Sequence, residues 1–220
     1  ILKKYYKKIY FFMFYKKIIN RFIGLFGYEI KKISSKIELP VEFSIDEKKI
    51  VYSIENYTMT GRTRIISLIN FYKDIIERNI KGDFVECGVW QGGNLMLIQK
   101  LSKIYDQTTT IVGYDTFEGM TDANEFDIDL RNNNAGNLLK KSKKINKEKN
   151  IWAYCNLETV KSNLNKELKT NNIKLIKGDV KDTLEIKDNL PEKISILRLD
   201  TDFYESTKIE LEKLYPLLVK

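Results

Sequence analysis

Four short apolar runs, each ending around an acid or a glycine, constrain this chain more than any other feature. They are Asp83 to Val89, Thr109 to Tyr114, Ile173 to Lys177 and Ile194 to Leu199. Helical patterns alternate with them at Gly92 to Tyr105, Leu157 to Leu168 and Glu205 to Leu217. Another precedes them at Arg62 to Asn79, where Ile65, Ile66, Ile69, Tyr72 and Ile76 recur at helical spacing. Thr60 falls in its N-cap region, and Lys81-Gly82 closes it. Strand then helix, repeated, predicts an α/β fold: a doubly wound, mostly parallel sheet with helices on both faces. Residues 33–61 read as irregular around Pro40. Residues 116–150 read as a long polar loop whose lysine-rich end, 140–149, is a solvated face or a lid.

Composition removes several chemistries. The chain has 220 residues, enough for one well-buried domain, and no histidine at all. That excludes Ser-His and Cys-His catalysis and histidine-ligated metals, leaving Asp, Glu, Lys, Tyr and Cys. Oxygen ligands favour Mg²⁺ or Ca²⁺ over zinc. Cys87 and Cys155 form no disulfide framework and suit a reducing compartment, so the expected location is cytoplasmic. The net charge of +8 sits in residues 1–32, where nine Lys/Arg face Glu29 alone, and the rest balances to zero. This aromatic, basic arm leaves open a peripheral contact with an anionic membrane, a clasp on a partner such as a homodimer, or an accessory helix packed on the domain. No uncharged run in it is longer than that of Ile9 to Tyr15, which is too short to span a bilayer. The division drawn is 1–56 for the arm and linker and 57–220 for the main domain. The chain starts at Ile1 and stops within the apolar Leu217-Leu218-Val219-Lys220, which reads as cut at both ends.

The motifs fall at strand ends. In GDFVECGVWQGGNLMLI (82–98) a strand ends at Glu86-Cys87-Gly88 and turns through Gly92-Gly93 into a helix. Glycines let backbone approach a ligand closely, as at the first turn of a doubly wound sheet. The spacing is G-x-x-x-G-G, and an acid here repels pyrophosphate; a cationic ligand such as a sulfonium with an amino group matches better. Asp115 ends the second strand, where an acid can accept ribose hydroxyls or cap a loop. Asp179 follows the third, where it can meet an adenine amino group or cap a helix. The fourth run ends in Asp200 and Asp202, on one face of an extended strand. Two carboxylates there can hold a hard cation, or one can hold it while the other takes a proton.

At these residues the chain resembles the macrocin-type (TylF/MycF/NovP) O-methyltransferases. The matching stretches are YTMTGRTR (57–64), GDFVECGVWQGG (82–93), GYDTFEGM (113–120), WAYCNLETVKSNL (152–164), IKGDVKDTL (176–184) and LRLDTDFYESTKIELEKLYP (197–216). The resemblance implies a class I methyltransferase, Rossmann-like fold with N-terminal accessory helices. It implies S-adenosylmethionine as cofactor, Mg²⁺, and a sugar hydroxyl of a glycoside or glycan as small-molecule acceptor, with no nucleic acid. It places Glu86, Gly88 and Gly93 around the methionine part, Asp115 at the ribose and Asp179 near the adenine. Met59 and Thr60 would close over the cofactor, and 120–152 would be a mobile lid. Asp200 matches a metal ligand and Asp202 the general base. The family continues past this point into a strand ending in an Asp-Asp pair that completes the metal site. The chain stops at Lys220, so the expectation is an incomplete sheet with an exposed edge, an incomplete metal site and an inactive piece.

Two other readings stand beside it. One is an NAD- or nucleotide-sugar-binding Rossmann enzyme, against which the absence of G-x-G-x-x-G and of any histidine speaks. The other is a non-catalytic module docking on membrane or nucleic acid through residues 1–32.

Overall fold

The four apolar runs are strands in a computed structural model of the chain, which describes residues 38–168 and 172–219. The basic arm of residues 1–32, with its membrane and dimer readings, lies outside the described residues. β1 is Asp83–Cys87, β2 Ile111–Asp115, β3 Ile173–Lys177 and β4 Ile194–Leu199. They form one parallel sheet in the order β3-β2-β1-β4. The chain moves outward from β1 through β2 to β3, then returns to the other side of β1, so the winding reverses between β1 and β4. A reversal of this kind opens a crevice at the carboxyl ends of the strands. Leu218 makes a single parallel bridge to Ile194 on the outer side of β4.

Side chains alternate along each strand and bury both faces. Phe84 joins the larger core, with Ile65, Ile69 and Tyr72 of helix α2 (Arg62–Glu77), Leu95, Ile98 and Leu101 of α3 (Gly93–Ile104), and Val160 and Leu164 of the helix Leu157–Glu167. Val85 and Cys87 point the other way, to Val112, Tyr114, Ile176 and Leu214. The fully buried Tyr72, Phe84 and Tyr114 each stabilise the fold by about 2–3 kcal/mol through apolar area removed from water.

Two segments read as irregular contain helix. Ile45–Ile54 is α1, inside the stretch expected to be irregular. Its start is a capping box: the Ser44 hydroxyl accepts from the Glu47 N–H (3.1 Å), and the Glu47 carboxylate accepts from the Ser44 N–H (2.6 Å). Phe43, Ile50, Val51 and Ile54 pack into the larger core, so the compact unit runs from Leu39 rather than from residue 57. The long polar loop contains α4 (Ala135–Lys141), capped by the Asn134 side chain on the Asn137 N–H. The remaining helices are α5 (Leu157–Glu167), the single turn α6 (Val180–Thr183) and α7 (Tyr204–Leu214), which a 3₁₀ turn at Tyr215–Leu217 extends. No described helix is long and apolar enough to cross a membrane.

Candidate active site

The β1–α3 turn is the floor of the crevice. Gly88 adopts φ +89°, and a Cβ there would collide with the Asp200 carbonyl, so the ends of β1 and β4 meet over a residue with no side chain. The next two N–H groups, of Val89 and Trp90, both donate to Asp115 Oδ2 (2.7 and 3.0 Å). The Phe117 N–H donates to Asp115 Oδ1 (2.7 Å). Trp90 and Phe117 both hold positive φ, a strained state for large residues that these three bonds keep in place. Asp115 therefore ties the first turn to the second. Thr116 gives its hydroxyl proton to Gly119 O at 2.6 Å and only grazes Asp115 Oδ1 at 3.5 Å, so one position on Oδ1 stays open.

Above the turn lies a cleft of about 730 Å³ at the carboxyl ends of the strands. Met59, Thr60, Gly88, Asp115, Asp179, Asp200 and Asp202 all line it, bringing together seven of the nine residues singled out from the sequence. Glu86 and Gly93 do not line it; both lie behind the wall. Gly93 serves as a seat: its N–H donates to Tyr57 O (3.0 Å), and an added Cβ would stand 2.7 Å from that oxygen and from Thr58 Cβ. It thereby presses segment 57–60 onto the start of α3. Asp179 caps α6 through the Lys181 N–H (3.0 Å), the capping alternative foreseen for it, and still faces the cleft.

The wall behind Thr60 is a polar network. Glu86 is fully buried; its Oε1 accepts from Asn94 Nδ2 (2.8 Å) and Arg198 Nη1 (2.6 Å), and its Oε2 has no partner. Burial pushes its carboxyl pKa from 4.5 up to about 7, with the Arg198 charge and the Asn94 bond pulling the other way. Asn94 Oδ1 is a second buried acceptor without a donor. Arg198 Nη2 donates to Thr60 Oγ1 (2.8 Å) and to Asp200 Oδ2 (2.7 Å). Arg198 and Asn94 lie inside the quoted stretches 197–216 and 82–98, where neither has an assigned role; the visible signal for Arg198 is one cation inside the otherwise uncharged run ISILRL.

The two aspartates differ. Asp200 is engaged on both oxygens, by Arg198 and at 3.4 Å by Arg64. Asp202, at φ +68°, makes no hydrogen bond among those described and faces the cleft. Loss of hydration raises its carboxyl pKa, the Asp200 charge adds to this, and Arg64 and Arg198 oppose it. Among the described residues no group of three acidic, cysteine or histidine side chains comes together to hold a metal. Two carboxylates, one already held by guanidinium groups, do not fit a Mg²⁺ cage by themselves.

The loop over the cleft is tied down at two points that no motif marks. Asp127, nearly buried, accepts from the Tyr204 N–H (2.8 Å) and from the Asn124 N–H (2.7 Å), capping α7 from 77 residues away. The Phe126 and Tyr204 rings lie 5.0 Å apart beside this bond. Lys149 donates to Glu55 O (3.1 Å) and Thr58 O (2.9 Å), fastening the other end to the segment below.

Comparison with known proteins decides the family. The model of the macrocin O-methyltransferases (TylF) matches residues 46–220. The chain belongs to the macrocin O-methyltransferase family. Among curated members of that group, it is 29% identical over 161 residues to the demethyldecarbamoylnovobiocin O-methyltransferase of Streptomyces niveus, covering 73% of this chain and 57% of the relative. It is likewise 29% identical over 169 residues to the 8-demethyl-8-(2,3-dimethoxy-alpha-L-rhamnosyl)-tetracenomycin-C 4'-O-methyltransferase of Streptomyces olivaceus, covering 74% and 58%. The solved structure of the O-methyltransferase NovP superposes with a TM-score of 0.59 at 29% identity, covering 74% of this chain and 63% of that one. The fold is therefore the Rossmann-like methyltransferase fold of this family. The chain spans less than two thirds of the length of these relatives.

Proposed function

We propose that this protein transfers a methyl group from S-adenosylmethionine to a hydroxyl of a sugar in a glycoside or glycan. The observation that carries the reading is the cleft itself: an acid at the end of β2 and acids just after β3 and β4 converge on one crevice in a chain of the macrocin O-methyltransferase family. The relatives named above are O-methyltransferases of a novobiocin precursor and of a rhamnosyl tetracenomycin, which supports a sugar-bearing acceptor.

The residues fit the cofactor. Asn94 lines the cleft, and its Oδ1 is an acceptor without a donor that an ammonium can supply, while Glu86 stands behind it and adds negative charge to that wall. The open position on Asp115 Oδ1 suits one ribose hydroxyl, and Asp179 the adenine end. Met59, 39% exposed, sits at the rim where it can cover the ligand. When bound, the cofactor supplies an electrophilic methyl on a sulfonium that leaves as a neutral thioether.

Asp202 then receives the acceptor hydroxyl proton as the oxygen attacks. Its raised pKa makes it a stronger base than a solvated aspartate. The Asp127 and Lys149 ties hold the loop that would orient the acceptor, and positioning supplies most of the rate. Asp200 is the carboxylate this chain would lend a divalent cation, and no step here runs through a metal.

The test is transfer of radiolabelled methyl from S-adenosylmethionine to a panel of glycosides, with aglycones alone as controls. Transfer to a sugar, lost in Asp202→Asn while S-adenosylhomocysteine affinity stays within about two-fold, is the expected result. Turnover surviving in Asp202→Asn would remove Asp202 as base.

A further inference from the structure

Arg198 joins residues from both ends of the cleft. Its side chain is 13% exposed, and its planar fork reaches Glu86, Thr60 and Asp200 at 2.6–2.8 Å. Thr60 lines the end assigned above to the methionine part of the cofactor, with Glu86 behind it. Asp200 belongs to the reacting end, beside Asp202. Thr60 is the hinge between them. Its Oγ1 accepts from Arg198 Nη2 (2.8 Å) and from Asn94 Nδ2 (3.1 Å), so both lone pairs are taken. The hydroxyl proton is left as a donor on a residue that lines the cleft, suited to a carboxylate oxygen. The same Nη2 serves Thr60 and Asp200, so a change in charge at Asp200 must move the donor that orients Thr60.

Resting on the proposed function, we propose that Arg198 is a positioning residue that couples ligand binding at the Thr60 end of the cleft to the charge on Asp200 at the reacting end. The fork geometry is what does this. Guanidinium holds several acceptors in one rigid plane, whereas the lysine ammonium is a point charge on a flexible stem. Enclosure strengthens each bond in the chain Glu86–Arg198–Asp200, because little water screens it. Removing the Asp200 charge leaves Glu86 as the one carboxyl partner on the fork and shifts Nη2 relative to Thr60. The effect reaches a ligand that Asp200 itself need not touch.

The test is calorimetric titration with S-adenosylhomocysteine of the wild type, Thr60→Val, Asp200→Asn, the double variant, Arg198→Lys and Arg198→Lys/Asp200→Asn, each checked for folding by circular dichroism. Thr60→Val should weaken binding about ten-fold, the scale of one hydrogen bond to a charged group. Asp200→Asn should weaken it about three-fold or more, and the double variant should be no worse than Thr60→Val alone, the non-additivity of a shared network. Arg198→Lys should abolish the Asp200→Asn effect. A purely structural role for Arg198 would leave the two single penalties to add. Additive penalties, or an Asp200→Asn effect that persists in the lysine background, would overturn the proposal. The Thr60/Asp200 cycle leaves Arg198 intact and decides the question even if Arg198→Lys does not fold. A folded wild type that binds no S-adenosylhomocysteine would instead overturn the methyltransferase reading.

Discussion

Glu210→Gln should stabilise the protein at pH 8 far more than at pH 5. Glu210 lies on α7 with no solvent exposure. Its Oε2 accepts the Thr201 hydroxyl (3.2 Å), and its Oε1 has no partner. Burial pushes the carboxyl pKa from 4.5 up to about 7, against the pull of the Thr201 hydroxyl and the neighbouring Cys87 thiol. A carboxyl raised in the folded state contributes fully below its unfolded pKa, and that contribution is lost as pH rises through the folded value. Between 4.5 and about 7 the folded protein binds the extra proton, so stability falls with rising pH across that window and is flat above it. At pH 8 the ionised buried group costs about 3 kcal/mol relative to a neutral one, and at pH 5 under about 1 kcal/mol. Glutamine keeps the shape and the acceptor for Thr201. Any cost of its own amide is the same at both pH values, so the difference between them isolates the ionisation. Urea unfolding of both proteins at pH 5 and pH 8, followed by circular dichroism, should show Glu210→Gln favoured at pH 8 by about 2 kcal/mol more than at pH 5. Equal effects at the two pH values would refute the reasoning, and a larger gain at pH 5 would reverse its sign.

Two further perturbations probe the site. Gly88→Ala forces a Cβ to within 2.8 Å of the Asp200 carbonyl carbon from a left-handed backbone, and should cost about 3 kcal/mol or more of stability, read as a lowered melting temperature; a loss under about 1 kcal/mol would mean that the β1 and β4 ends are not locked together there. Asp127→Ala removes the carboxylate that caps α7 and ties down the loop; it should cost about 1–2 kcal/mol and expose 120–134 to faster amide hydrogen exchange, whereas unchanged exchange would show that the loop is held by other contacts.

The succession of strands and helices and a cleft at the strand ends were legible because they rest on local pattern. Apolar runs, their terminal acids and the intervening helical periodicity each lie within a few neighbouring residues. Even the missed helix α1 carried a local mark, Ser44 and Glu47 three apart, which Pro40 and a polar composition obscured. The site was legible at its acids and illegible in its wiring. Asp115 reads as a ligand contact at a strand end, yet it spends most of its carboxylate on the N–H groups of residues 89, 90 and 117. Asp127 meets Tyr204, and Arg198 meets Glu86 and Thr60, across separations that only the folded chain closes. Glu86 and Gly93 illustrate the same limit: their types and spacing suggest cofactor contact, while packing puts them one layer behind the cleft wall.

The central claim is that the cleft above Gly88 and Asp115 takes the adenosyl cofactor of a methyltransferase. Calorimetric titration of this chain with S-adenosylhomocysteine, with NAD⁺ as control, tests it most directly. The account predicts micromolar binding of S-adenosylhomocysteine and none of NAD⁺. Binding of NAD⁺ alone, or of neither by a chain that circular dichroism shows to be folded, would contradict it.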